Sequence, residues 1–385
     1  MKERLIQLVK DSHFVYGCYY HFMNFVVKTI KLFVKPDDNL ILFVSYGGRY
    51  FNDSPRCLYE RMKVDTRFAG YKMVWAFREP DKFPEVGNKI RIDSINYFVT
   101  ALKARCWITN VHIERGLDFK GDHTYYFNTA HTNIPKLSEA SVGGDKTFKS
   151  KAKNKCDFFC VQSEFEKELF KESAKKVEVV GFPKNDILAN YTLQQRLAIR
   201  KKLGIPERKR VILYAPTFRE GYLRDRDVQV DFKKWEEVLG DEYLVYFRAH
   251  PVFACKVKLD PHSKFVVNMS AYTDNNDLMI ASDVLISDYS GILTEFGIQD
   301  KPMFCYAYDY EDYVKTRGLY FDVRENLPGG YMNEDELLQY IKEGNRVEIL
   351  NKVKEFRGKY IQEYGHATET SLDIIYDNIK DKPIK

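Results

Sequence analysis

The sequence predicts an open α/β fold made of two Rossmann-like domains, each with its own parallel sheet, facing a cleft. Three observations carry this. Short apolar runs recur with helix-like stretches between them, the alternation that yields parallel strands joined by right-handed crossovers. The runs fall into two successive series separated by one charged stretch. The 385-residue length exceeds the usual domain size of about 100–150 residues, so two domains are expected.

The first series opens with LILFVSYGG (40–48), an apolar run ending in two glycines, after the break Pro36-Asp37-Asp38-Asn39. Its uniform apolarity is that of a strand buried on both faces. YKMVWAF (71–77), KARCWITN (103–110), TYYFNTAH (124–131), CDFFCVQS (156–163) and KVEVVGF (176–182) repeat the pattern. GFPKNDILAN then leads into LQQRLAIRKKLGIPERKR, read as a surface helix and linker. The second series is VILYAPTF (211–218), YLVYFRAH (243–250), KFVVNM (264–269), DVLISDYS (283–290) and KPMFCYAYD (301–309). The expected domains are therefore 1–190 and 191–385.

Composition narrows the function. A net charge of +5 with no helix-turn-helix or RNA-binding signature argues against nucleic acid. The same balance suits anionic small molecules or an acidic membrane surface. The seven cysteines are scattered and odd in number; Cys156 and Cys160 lie four apart but lack a second pair. Free thiols in a reducing cytoplasm are expected, with no metal site. No run approaches the roughly 18–20 apolar residues that span a bilayer, and no signal peptide is visible. Residues 1–35 are amphipathic, with Phe22, Phe25, Val26, Ile30 and Phe33 interleaved with Lys28, Lys31 and Lys35. Such a segment lies on a membrane interface or packs on its own domain.

In open α/β sheets ligands bind beyond the carboxyl ends of the strands, so the polar residues following each strand are the candidates. In the second series these are Thr217 and Arg219, then Arg248 and His250, then Asp288, Ser290 and Gly291. Arg219, Arg248 and His250 suit phosphate oxygens. Ser290 and Gly291 at a helix start offer a hydroxyl and backbone N–H groups to an anion. Glu295, one turn on, is placed to accept from a sugar or ribose hydroxyl, and Asp288 is an alternative cap for the helix. Together they describe a nucleotide-diphosphate site. The first series offers His131, a histidine at a strand end whose ordinary pKa of about 6.5 suits a general base. Thr132, Asn133 and Lys136 flank it, and His112 is a weaker competitor. No Asp-x-Asp or carboxylate cluster points to a tightly bound metal, which leaves soluble Mg²⁺ as an aid to pyrophosphate departure.

In order, NTAHTNIPKL, SEFEKELF, VVGFPKNDIL, YAPTFR, FRAHP, LISDYSGILTEFG, KPMFCYAYDYEDY, RGLYFD and the late GHAT (365–368) resemble the CDP-glycerol glycerophosphotransferases of teichoic acid and capsule synthesis. The resemblance covers roughly residues 40–370. It implies a GT-B-like architecture with the CDP donor on the second domain and His131 as base. Arg219, Arg248 and His250 would balance the pyrophosphate. The donor would be CDP-glycerol or CDP-ribitol, and the acceptor a polyprenyl-diphosphate-linked saccharide or growing polymer at the cytoplasmic face of the membrane. Two departures stand out: AHTN replaces the family's WHGT, and DYSG replaces DYSS. A UDP-sugar GT-B glycosyltransferase or epimerase shares the architecture but not this motif order. An inert nucleotide-binding scaffold would not need His131.

Overall fold

A computed structural model of the protein describes residues 13–131, 134–137, 156–217, 219, 229–249 and 259–380. These form two compact units. The first takes the described residues up to His131, those from 156 to Asp186 and those from Glu363 onward; the second takes 134–137 and the described stretch from Ile187 to Gln362.

The first unit is built on seven parallel strands: β1 Asp37–Val44, β2 Lys72–Phe77, β3 Lys89–Arg91, β4 Ala104–Thr109, β5 Tyr125–Asn128, β6 Phe158–Val161 and β7 Lys176–Val179. Their order is β3-β2-β1-β4-β5-β6-β7, the doubly wound arrangement in which strand order reverses between β1 and β4. Successive residues of a strand face opposite sides, and both sides here are buried. Ile41, Phe43, Trp75, Phe77 and Ile108 line one core. Leu40, Leu42, Val44, Val74, Ala76 and Trp107 line the other, which the helix Ile95–Lys103 covers with Tyr97, Phe98, Ala101 and Leu102.

The second unit holds five parallel strands: β8 Arg210–Ala215, β9 Tyr243–Phe247, β10 Val266–Asn268, β11 Val284–Ser287 and β12 Met303–Cys305. They run β10-β9-β8-β11-β12, reversing between β8 and β11. Ile212, Tyr214, Val245, Phe247 and Ile286 pack there against Trp235 and Leu239 of the helix Phe232–Leu239. β3 is the one strand of the described residues missing from the sequence reading; its Lys-Ile-Arg is too brief and polar to register as an apolar run.

The expected assignment of everything after residue 190 to the second domain needs correction. The C-terminal helix Ala367–Ile379 packs on the first unit, where Leu372, Ile375 and Ile379 complete the core around Ile41, Phe43 and Trp75. Asp186 caps its start, accepting from Ala367 N (2.9 Å) and Thr368 N (2.7 Å). The Arg105 guanidinium holds its end, donating to Asn378 O at 3.0 Å. Gly181 marks the crossing. Its φ is +76°, and a Cβ there would sit 2.5 Å from Glu363 O and 3.3 Å from Ala367 Cβ. The glycine of VVGF and the alanine of GHAT are thus two sides of one close packing contact. Residues 134–137 depart in the other direction: within the second unit Leu137 N donates to Gly318 O and Tyr320 N to Pro135 O.

The helix His13–Lys31 meets its own unit along one face. Val27 is buried, Asn24 Oδ1 accepts from Asp118 N (2.8 Å) and Tyr16 OH donates to Gly116 O (3.2 Å). Phe22, Phe25, Leu32 and Phe33 stay 65–83% exposed. No helix of the described residues is long and apolar enough to cross a membrane.

If the C-terminal helix is part of the first core, Leu372→Ala will destabilise the protein by about 2–5 kcal/mol through lost burial and a residual cavity. Urea unfolding monitored at the first unit's Trp75 and Trp107 reads this; an unchanged midpoint would contradict the assignment.

Candidate active site

In the first unit a group of polar side chains lies where strand order reverses. β1 and β4 end side by side at Val44 and Thr109, and the next residues of each exit are joined. Tyr46 N donates to Asn110 Oδ1 at 2.9 Å. His131, three residues past β5, sets its Nδ1 3.0 Å from Asn110 O. A carbonyl oxygen only accepts, so Nδ1 carries the hydrogen and Nε2 keeps its lone pair. The Tyr46 ring meets the imidazole edge-on at 5.7 Å between centroids. Burial, reinforced by Lys184, lowers the His131 pKa below its ordinary value despite the Asn110 hydrogen bond and Asp53. Near pH 7 the side chain is therefore neutral and oriented, the state a general base requires.

Beneath it lies a buried ionic group. Tyr46 OH donates to Asp53 Oδ2 at 2.8 Å, and Lys184 Nζ lies 3.2 Å from the same oxygen. Burial pushes the Asp53 pKa up, but Lys184, the Ser54 N–H and the Tyr46 hydroxyl outweigh it and hold the carboxyl below its ordinary range. Tyr46 (φ 44°), Asp53 (62°) and Ala130 (53°) all adopt left-handed backbone, at about 1–3 kcal/mol each. His112, by contrast, is 72% exposed.

In the second unit Thr217, Arg219 and Asp288 come together at the β8/β11 reversal. Asp288 does not cap the following helix. Its Oδ1 accepts from Thr217 N (2.8 Å) and Tyr289 N (2.7 Å), stitching the two strand exits together. Arg219 departs from expectation. It is 2% exposed, with Nη1 2.9 Å from Asp288 Oδ2 and a bidentate pair to Asp309 through Nε (2.7 Å) and Nη2 (2.9 Å). The rings of Tyr289, Tyr308 and Tyr313 surround the guanidinium at 5.1–5.5 Å. Burial opposes its charge, yet the two carboxylates outweigh that and raise its pKa. Two carboxylates already occupy the fork, so Arg219 positions the strand exits and is not the exposed phosphate donor the sequence implied.

Arg248 fits the donor role better. Its Nη1 donates to Met269 O (3.2 Å) and Tyr272 O (2.5 Å), and no bond among the described residues engages Nε or Nη2. Burial lowers its pKa, opposed by Asp274 and by Glu295, itself 8% exposed. The Thr217 hydroxyl is buried and has no hydrogen-bond partner among the described residues. Ser290 and Gly291 are half-buried before the five-residue helix Ile292–Phe296, where Ser290 Oγ accepts only a long 3.4 Å bond from Ile292 N. Gly291 has ordinary helical angles (φ −60°, ψ −15°), so its backbone does not demand glycine and a serine would fit the same conformation. His250, Thr132 and Asn133 lie outside the described residues. Among the described residues, no three His, Cys, Asp or Glu side chains converge as a metal cage.

Sequence reasoning missed Tyr46, Asp53, Asn110, Lys184 and Asp309. Asp309 lies inside the KPMFCYAYDYEDY motif and Lys184 inside VVGFPKN, so the motifs contained them without revealing their partners.

Two doubly wound parallel units, one presenting an oriented neutral histidine and the other a strand-end cluster with an arginine, define a GT-B-like transferase class. Within that class the chain belongs to the CDP-glycerol:poly(glycerophosphate) glycerophosphotransferase family, whose profile matches residues 26–376. It is 28% identical over 376 residues to a teichoic acid poly(glycerol phosphate) polymerase of Staphylococcus epidermidis, covering 91% of this chain but only 52% of that protein. The chain thus spans about half the length of that polymerase. It is 27% identical to a teichoic acid glycerol-phosphate transferase of Staphylococcus aureus, with 91% and 96% of the two chains covered. Among solved structures, wall teichoic acid polymerase TagF superposes with a TM-score of 0.81 at 27% identity, over 95% of this chain and 96% of that one. A histidine-to-asparagine variant of TagF has been solved after soaking with CDPG.

Asp309→Ala would leave a buried Arg219 charge with one carboxylate in place of two, and a loss of about 3–5 kcal/mol is expected. Chemical denaturation measures it; a loss below about 1 kcal/mol, the scale of an exposed pair, would contradict the buried cluster.

Proposed function

We propose that the protein transfers glycerol phosphate from CDP-glycerol to a hydroxyl of a lipid-linked saccharide or polyol-phosphate chain, releasing CMP, in teichoic acid synthesis. The observation that carries this is His131, neutral, oriented through Nδ1 and with Nε2 free to take a proton, in a chain of the glycerophosphotransferase family. In the proposed step His131 Nε2 takes the acceptor hydroxyl's proton as its oxygen attacks the β-phosphorus. A new O–P bond forms, the bond to the bridging oxygen breaks, and the electron pair leaves with CMP. Arg248 and the buried Thr217 hydroxyl, with His250, Ser290 and Gly291, would hold the donor, and Glu295 its hydroxyls. Arg219 would act by fixing Asp288 and the strand exits. Soluble Mg²⁺, with no resident cofactor, would assist the leaving pyrophosphate oxygen. Two relatives named for glycerol phosphate favour glycerol over ribitol.

A lipid-linked acceptor places the reaction at the cytoplasmic membrane surface. Exposed Phe22, Phe25, Leu32 and Phe33 beside Lys28, Lys31 and Lys35 support a peripheral attachment there, apolar contact combining with attraction to anionic lipid. Phe22→Asp with Phe25→Asp should release the protein from phosphatidylglycerol vesicles in a sedimentation assay, and undiminished binding would count against attachment.

His131→Ala should reduce acceptor-dependent CMP release by at least about a hundredfold, the scale of general-base catalysis. The sign of the pH dependence follows from the lowered pKa. Protonation removes the base, so wild-type activity should hold through the ordinary histidine pKa of about 6.5 and fall only at lower pH. Retained turnover in the variant would remove His131 from the mechanism, and turnover of CDP-ribitol alone would reassign the donor.

A further inference from the structure

The turn leaving β1 carries a charge arrangement that the proposed chemistry does not use. Gly47 (φ +61°) and Gly48 (φ +78°) follow Tyr46, and a Cβ at Gly48 would lie 3.1 Å from both Ala76 O and Arg78 N. Glycine lets this turn press against the exit of β2, where Arg78 N donates to Gly48 O at 2.7 Å. Arg78 Nε donates to Gly47 O at 3.2 Å. On the same glycine, a Cβ would lie 3.5 Å from Arg115 Nη1. Two guanidiniums thus flank one glycine, and Arg49 follows the turn directly.

Among the described residues, one carboxylate pairs with these three cations. Arg115 forms a bidentate pair with Asp93, Nε to Oδ1 at 2.8 Å and Nη2 to Oδ2 at 3.0 Å. Neither Arg49 nor Arg78 has an ion pair among the described residues. Burial, then the like charges of Arg49 and Arg115, lowers the Arg78 pKa. Repulsion is therefore built in and only partly relieved. Asp93 (φ 62°) and Arg115 (φ 56°) are also left-handed, so all five non-glycine residues of positive φ among the described residues lie in the loops or at the helix start that follow strands of the first sheet. Uncompensated like charge and backbone strain at a strand-order reversal mark a ligand site.

We infer that Arg49, Arg78 and Arg115 form an anion subsite that receives the phosphodiester of the acceptor chain. This rests on the transfer reading above. A guanidinium fork matches phosphate oxygens; those of Arg49 and Arg78 hold no carboxylate among the described residues, while Arg115, its fork held by Asp93, adds positive charge. The subsite shares the β1 exit with Tyr46, whose ring packs on His131, the base that meets the acceptor hydroxyl. In a polyol-phosphate chain the next phosphate lies one polyol behind the attacking hydroxyl. A base with a cationic cluster on the same strand exit suits an acceptor that already carries a phosphate behind its attacking hydroxyl. The donor pyrophosphate is the other source of the same chemistry.

The test uses the full chain and direct binding, so that it does not depend on turnover. A short glycerol-phosphate oligomer and CDP-glycerol are each titrated into wild type, Arg49→Gln, Arg78→Gln and the double variant, at low and physiological salt. Oligomer affinity should fall about tenfold in the double variant, with a flatter salt dependence, while CDP-glycerol affinity stays at the wild-type value. KM for the oligomer should rise in parallel, and a neutral saccharide acceptor should show no such rise. Unaltered oligomer binding, or a loss confined to CDP-glycerol, overturns the inference. Arginine-dependent oligomer binding without CMP release upholds the subsite and sinks the transfer reading. Melting temperatures report folding, and Arg78→Lys, which keeps the charge, should recover most of the affinity if charge is what matters.

Discussion

Parallel strand pairing is the constraint on which the rest of this structure depends. Two parallel neighbours can be joined only by a crossover that returns the chain to the same starting edge. Every strand of both sheets therefore ends on one edge, and its exit loop is delivered there. Where the strand order reverses, between β1 and β4 and between β8 and β11, adjacent exits diverge to opposite faces and leave room for a ligand. The residues proposed for the site collect at the carboxyl-terminal ends of the strands, whereas buried ion pairs such as Asp157 with Lys120 and Asp283 with Arg196 and Arg200 brace the opposite ends.

Each unit uses buried charge to fix its exits, with different parts. In the second unit one arginine, two carboxylates and three tyrosine rings lock the ends of β8 and β11. In the first unit Asp53 is shared between the Tyr46 hydroxyl and Lys184, and Tyr46 is tied through Asn110 to the exit of β4. Burying such pairs gains little net stability, because desolvation consumes most of the Coulomb attraction. What they supply here is position: the Asn110 carbonyl that orients His131 belongs to a loop held on both sides. Strained backbone at Tyr46, Asp53 and Ala130 persists because these contacts over-determine it.

The C-terminal helix shows how far a local motif can act. VVGF and GHAT lie nearly two hundred residues apart yet meet as a glycine against a carbonyl and an alanine, under the Asp186 cap. The chain leaves the first unit, builds the second and returns to close the first core. Loss of the final residues would therefore open the core beneath the histidine's own sheet.

The sequence by itself determined the elements and their edges. Apolar runs located eleven of the twelve strands of the described residues, most of them buried on both faces; β3, three residues with two of them charged, was too short and polar to register. The rule that ligands gather beyond strand ends picked out His131, Thr217, Asp288 and Arg248 as polar residues at strand exits. Only the tertiary structure decided what each residue touches. Arg219 and Arg248 look alike in sequence, both at strand exits, but one fork is filled by Asp288 and Asp309 while the other has donors that no bond among the described residues engages. The return of the helix Ala367–Ile379, the Asn110 carbonyl behind His131 and the crowding of Arg78 and Arg115 on Gly47 were equally invisible. Each depends on residues tens to hundreds of positions apart, and local periodicity carries no information about which distant carboxylate, carbonyl or cation will be brought within 3 Å.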